Sequence, residues 1–171
     1  MPPLIKWAII IALSLSFFSP DISHAGTPVH GARAAGMGAA FAGLADDPSA
    51  IMHNPAGLTQ VKGTNIYSGV TVLIPSAEYT SPSGASEETD FNAFFPPHLY
   101  ISSDFDRENV VLGLGIFSPF GIGGGYWSED GLTRYISTES TITTLSDNPT
   151  LAWKVTPKLS IGLGVYYLHS F

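Results

Sequence analysis

From residue 64 onward the sequence repeats with a period of two, and this pattern constrains the fold more than any other feature of the chain. Ile66, Ser68, Val70, Val72 and Ile74 fall on one side, against Asn65, Tyr67, Gly69, Thr71 and Leu73. Val110, Leu112, Leu114 and Ile116 alternate with Val111, Gly113, Gly115 and Phe117, and Ile161, Leu163, Val165 and Tyr167 with Ser160, Gly162, Gly164 and Tyr166. Weaker examples run through His98–Phe105 and Leu151–Val155. Successive side chains of a β-strand point to opposite faces, so these segments read as strands with one apolar face. A strand half-immersed in lipid has this pattern, and so does the half-buried strand of a soluble sandwich. Glycine on the second face and aromatic rings near the strand ends favour lipid.

Composition points the same way. Charged residues make up 12% of the chain, about half the usual share, while glycines number 18 and aromatics reach 12%. The net charge of −7 argues against nucleic acid as a partner, because phosphate binding needs a basic patch. The absence of cysteine removes disulfides and thiolate chemistry.

Connections of two lengths alternate. Asp104 to Asn109 and Thr156-Pro157-Lys158 are short, whereas Pro75 to Asp90 and Pro119 to Ser140 are long. Outer-membrane barrels have short periplasmic turns and long external loops in this way. The pattern predicts an all-β transmembrane antiparallel barrel, of which residues 63–171 supply roughly the first five strands. Closed single-chain barrels start at about eight strands, and an open edge cannot face lipid. Further strands are therefore expected to complete it.

Two segments precede the strands. Lys6 followed by the apolar run Trp7–Phe18, the break at Pro20 and the small residues of Ser23-His24-Ala25 predict a signal peptide over residues 1–25, cut after Ala25. The apolar run is shorter than the ~20 residues a spanning helix needs. Residues 26–62 then read as a compact plug. Gly31–Gly43 is almost all glycine and alanine, Asp46-Asp47-Pro48-Ser49 signals a helix start, and Asn54-Pro55 ends the turn or two that follow. Such a segment has too few large apolar side chains to fold alone, and a barrel lumen is a suitable container.

Gly36-Met37-Gly38-Ala39-Ala40-Phe41, Ala45-Asp46-Asp47-Pro48-Ser49-Ala50 and Asn54-Pro55-Ala56-Gly57-Leu58 resemble, in order and spacing, the hatch of the FadL/TodX family. The likeness continues through Gly113–Gly121, Arg134-Tyr135, Asn148-Pro149, Leu151–Lys154 and Lys158–Gly164. The family comprises outer-membrane transporters of long-chain fatty acids and aromatic hydrocarbons in Gram-negative bacteria. The resemblance implies a barrel of about 14 strands, within the even-numbered range for such barrels, with a hatch in the lumen. It implies membrane lipid, the barrel-assembly machinery and a hydrophobic ligand as partners, and no cofactor. Asn54, Pro55 and Ala56 inherit the hatch motif. The family's lateral exit lies at a kink in the third strand, which by order is Val110–Phe117 here. Gly113, Gly115 and Pro119 are the kink candidates, although the two glycines could equally make room for the plug. Phe117 and Phe120 are candidates for the apolar ligand path. Arg33, Arg134 and Lys154 are candidates for binding a ligand carboxylate.

Other chemistry finds little support. The sequence has no Gly-x-Ser-x-Gly elbow. His30, His53, His98 and His169 lack metal-ligand spacing. Gly121–Gly125 lacks the Walker lysine and the dinucleotide spacing. A transporter is thus expected rather than an enzyme, with a general porin and a soluble secreted β-domain as the alternatives.

Overall fold

The structure is a computed structural model that describes residues 30–120 and 122–171. The expected leader and residues 26–29 of the expected plug lie outside the described residues. No helix among the described residues is long and apolar enough to cross a membrane.

The described chain opens with short helical pieces. These are α1 (Ala32–Gly36), a 3-10 turn (Ala40–Gly43), α2 (Ala50–His53) and a second 3-10 turn (Pro55–Gln60). Asp47 starts α2, its Oδ1 accepting the backbone N–H of Ser49 at 2.8 Å and the hydroxyl at 2.6 Å. Satisfying free N–H groups at a helix start in this way is the usual role of an aspartate there. Asn54 leaves the helical region (φ −162°), and Pro55 begins the next turn, where its missing N–H does no harm.

Nine strands follow: β1 (Thr64–Val70), β2 (Glu78–Thr80), β3 (Ser86–Glu88), β4 (Pro97–Ser103), β5 (Val110–Phe117), β6 (Ile122–Tyr126), β7 (Glu139–Thr156), β8 (Leu159–Gly164) and β9 (Tyr167–Ser170). β2 and β3 form a separate hairpin within the first long connection. The other strands form a seven-stranded antiparallel sheet, in which β1, β4, β5 and β7 are neighbours in that order. β6 continues the line of β5 along β7, and β8 and β9 follow one another along the opposite edge of β7. The sheet therefore makes five passes, matching the strands read from the sequence, and it is open at β1 and at β8–β9.

Register sorts the side chains by face. One face carries cross-strand rows such as Ile66–Ile101–Leu114–Pro149 and Leu112–Leu151–Leu163. It is bare, with Ile66 70% and Leu163 69% exposed. A contiguous apolar band of this kind is what lipid covers. The other face, called inner here, carries the rows Asn65–Ser102–Gly113–Thr150–Gly164, Tyr67–Tyr100–Gly115–Asn148 and Gly69–His98–Phe117–Ser146. The helical segment packs on this inner face.

Two irregularities interrupt the ladder. Phe117 pairs with Ser146, but the next pair is Ile122 with Thr143. On β7 only Thr144 and Leu145 lie between these two pairs, so the third pass holds two residues more than its partner there, a bulge that begins at Ser118. On the other edge of β7, Pro149 has no N–H to offer, and the ladder lapses between β8 and β9. A single bond remains there, from the Val165 N–H to the Pro149 carbonyl at 3.1 Å.

Several boundaries differ from the sequence expectation. β7 reaches back to Glu139, so the second long connection is shorter than Pro119–Ser140 and holds β6 as well. The first strand ends its regular pairing at Val70, beyond which Leu73 bridges Phe94.

Candidate functional site

The helical segment sits on a floor of glycines. A Cβ added at Gly113 would lie 2.8 Å from Ile51 Cδ1 and 3.1 Å from Leu58 Cδ1, and one at Gly115 would lie 2.9 Å from Ile51 Cγ2. Ile51 and Leu58 are fully buried. The Asn-Pro-Ala turn lies on β8, where a Cβ at Gly162 would run into the Ala56 nitrogen and come within 2.7 Å of the Pro55 Cβ. Asn54 holds the turn's other side, its Nδ2 donating to the Ala42 carbonyl at 2.9 Å. Thr59 donates its hydroxyl to Ser160 Oγ at 2.9 Å, tying the second 3-10 turn to the same strand. At the end with short turns, Asp104 Oδ2 accepts the Gly63 N–H at 2.9 Å and Oδ1 accepts the Asp106 N–H at 3.1 Å. These two donors, that of Gly63 foremost, hold the Asp104 carboxyl below the usual carboxylate range.

Beside this seat the inner face carries a continuous set of rings. Tyr67 stacks on His98 (centroids 5.8 Å apart), His98 meets Tyr100 (5.9 Å), Tyr100 meets Phe117 (5.5 Å), and Phe117 meets Tyr166 edge-on (5.8 Å). His30, from the chain entering α1, adds its ring against His98 (5.5 Å) and Phe117 (5.6 Å). Tyr100 also donates to the Met52 sulfur at 3.6 Å. Rings from four passes and from the helical segment thus form one apolar surface with a polar fringe. His98 Nδ1, Ser102 Oγ and Ser146 Oγ are buried there without a protein partner.

The bulge borders this cluster. The Ser118 carbonyl, freed from the ladder, accepts a hydrogen bond from His30 Nε2 at 2.8 Å. The partner is a carbonyl, so Nε2 carries the proton. Burial pushes the His30 imidazole down to about 4, and the neighbouring His98 and His53 add to the shift, so the ring is neutral at pH 7. Thr144 supplies the other bulge contacts, its Oγ1 lying 3.2 Å from Ser118 Oγ and accepting the Phe120 N–H at 3.3 Å.

The residues singled out from the sequence are not all brought together. Gly113 and Gly115 lie inside an unbroken ladder with both β4 and β7. They form the floor under Ile51, and the interruption of the strand comes after Phe117, where Pro119 lies. Phe117 is buried in the ring cluster, whereas Phe120 is 57% exposed. The three cations are scattered. Arg33 is committed to Asp46, with Nη1–Oδ1 2.7 Å and Nη2–Oδ2 3.0 Å, so its fork is already occupied by a carboxylate. Arg134 sits in the connection before β7, its Nη1 donating to the Asp130 and Gly131 carbonyls and its guanidinium 4.6 Å over the Tyr135 ring. Lys154 lines an open polar cleft with Lys62, Glu108 and Asn109 at the short-turn end.

A family profile described as outer membrane protein transport protein (OMPP1/FadL/TodX) matches residues 15–170. The chain belongs to this family. It is also 30% identical over 110 residues to an outer membrane protein of Neisseria meningitidis serogroup B, a match covering 56% of this chain and 22% of the relative. Its fold superposes on the crystal structure of a Pseudomonas aeruginosa FadL homologue with a TM-score of 0.53 at 18% identity, covering 73% of this chain and 33% of that one. At this identity the second likeness concerns fold. The chain spans a third or less of the length of both relatives. With the family known, the period-two strands are those of the FadL/TodX β-barrel fold, and the helical pieces stand at the N-terminal end of that fold.

Sequence reasoning missed His30, His98 and Tyr100. Their signal was weak but present: His98 and Tyr100 alternate with Leu99 and Ile101, and large rings on the face away from lipid are what an apolar lumen needs.

Proposed function

We propose that this chain is part of a passive outer-membrane transporter for long-chain fatty acids or similar hydrophobic compounds in a Gram-negative bacterium. The observation that carries the reading is the inner face itself, where a chain of ring contacts runs from Tyr67 to Tyr166 through the buried His98, Tyr100 and Phe117, beside a bulge in the wall. Residues 26–62 act as the hatch, with Asn54, Pro55 and Ala56 as its contact with β8. An acyl tail leaving water for such a lining gains roughly 0.8 kcal/mol per CH₂. The bulge after Phe117 interrupts the ladder without breaking the sheet, and with Pro119 it is our candidate for a lateral exit. Membrane lipid covers the outer face, and the barrel-assembly machinery inserts the protein.

A carboxylate head group needs a donor. The free polar atoms of His98, Ser102 and Ser146 stand closer to the rings than Arg134 or Lys154 and replace them as candidates. No step of the reading involves bond chemistry. The test is uptake of radiolabelled oleate by a host lacking its own transporter and expressing the full-length protein. Accumulation above the empty-vector control, with no gain in maltose permeation, is expected. Maltose entry without oleate uptake would establish a general porin instead. Release from membranes by carbonate washing would establish a soluble β-domain.

A further inference from the structure

We infer that His30 is the latch that couples the hatch to the bulge in the third pass, an assignment that rests on the hatch reading above. Ser118 follows the last β4–β5 pair, His98–Phe117, and the β4 residue next in register is Pro97, which has no N–H to give; Ser118 is also fully buried. A buried carbonyl needs a donor, and the donor comes from the helical segment, not from the sheet: His30 Nε2 at 2.8 Å. The same residue is held from behind, because His53 Nε2 of α2 lies 3.3 Å from the His30 carbonyl and donates to it. Gly31 brings the backbone against Tyr67, whose hydroxyl would lie 3.0 Å from a Cβ placed there. A hydrogen-bonded line therefore runs from α2 through His30 to the bulge. Moving the helical segment breaks the bond to Ser118, and any rearrangement of the bulge that shifts Ser118 removes the acceptor. Hatch displacement and bulge rearrangement become one event.

The titratable groups around His30 are His98 on β4, His53 on α2 and Tyr67 on β1; β5 contributes Phe117 and Ser118, which do not titrate. An imidazolium at His30 would stand beside two other imidazoles in a buried site. Acid therefore loosens the latch, and a residue that donates from the same place without titrating removes that sensitivity. Glutamine is such a residue.

The test uses full-length protein in nanodiscs, with a cysteine-free background and spin labels at Gly36→Cys and Ser128→Cys. Both sites are open, since a Cβ at Gly36 meets no neighbouring atom and Ser128 is exposed. At pH 7.5 the protein with His30 intact is expected to give one narrow inter-label distance. His30→Phe keeps the ring and loses the donor, and its distribution is expected to broaden or split. His30→Gln is expected to restore the narrow distance. Lowering the pH to about 4 is expected to broaden the distribution of the parent. The His30→Gln protein, with no titrating group at that position, is expected to keep its narrow distance in acid. A narrow, unshifted distance in a folded His30→Phe protein would overturn the latch. Should that variant fail to fold, identical acid responses of the parent and His30→Gln would overturn it equally well. If the distances respond as stated while oleate uptake is absent in the parent, the latch stands and the transport reading falls.

Discussion

An added Cβ at Gly113 would meet both Ile51 and Leu58 of the helical segment, and this decides what substitutions there do. Gly113→Trp fills the seat of the hatch and leaves the bulge untouched. Overpacking of a filled contact costs typically ~1–3 kcal/mol. The expected outcome is a protein that still inserts and is heat-modifiable on gels, but whose helical segment becomes accessible to trypsin at Arg33 and Lys62. Equal protection in parent and variant would contradict this. Ile51→Ala approaches the same contact from the other side. Ile51 is fully buried, and truncation there should cost about 2–5 kcal/mol, read as a lower denaturant midpoint for loss of trypsin protection. At this scale the sequence was ambiguous for a physical reason. Glycine opposite apolar alternation marks close approach, but not whether the approaching group is a plug or a ligand. Arg33 shows the same limit: its charge is visible in the sequence, but the commitment to Asp46 depends on how residues 37–45 turn the chain back.

In the proposed transport, the bulge after Phe117 and the helical segment are the elements that set conditions for opening. His30 binds a proton less readily in the folded chain, at about 4 against 6.5 when unfolded. Between those values the unfolded state carries the extra proton, so the stability contributed by a neutral His30 is complete above pH 6.5. It is lost progressively as the pH falls toward 4, by on the order of 2–3 kcal/mol. Urea titrations of trypsin protection at pH 7.5 and pH 4.5 should show this loss in the parent and a smaller one in His30→Gln. Asp104 works in the same direction: its carboxyl is held down by the Gly63 and Asp106 N–H groups, so its contribution is present above the ordinary carboxylate range and falls away at lower pH. Asp104→Ala should speed trypsin cleavage after Lys62 without changing membrane insertion. The five passes were legible because their apolar faces alternate, plainly in three of them and more weakly in the other two. The full length of β7 was not, since Asn148-Pro149 reads as a turn and Thr141–Ser146 offers threonine and serine with only two large apolar residues. The two-residue bulge depends on register against β7, which one strand's sequence does not specify.

At the scale of the whole molecule, one face is apolar and bare, and the other is glycine, small polar residues and rings covered by a short helical segment. That division follows from the period of two and was readable from the sequence, as was membership of the FadL/TodX family from its ordered motifs. The ring cluster was harder to read, because its members come from four separate passes and meet only when the sheet is paired. The proposed transport requires the helical segment to move relative to β8. Thr59 Oγ1 and Ser160 Oγ lie 2.9 Å apart across that boundary, which makes the two positions the natural pair for a cysteine cross-link. The most direct measurement is oleate uptake by the full-length Thr59→Cys, Ser160→Cys protein, assayed first oxidised and then after reduction. A moving hatch predicts that oxidation abolishes uptake and reduction restores it to the level of the parent. Undiminished uptake with the disulfide formed would contradict hatch movement and with it the proposed route.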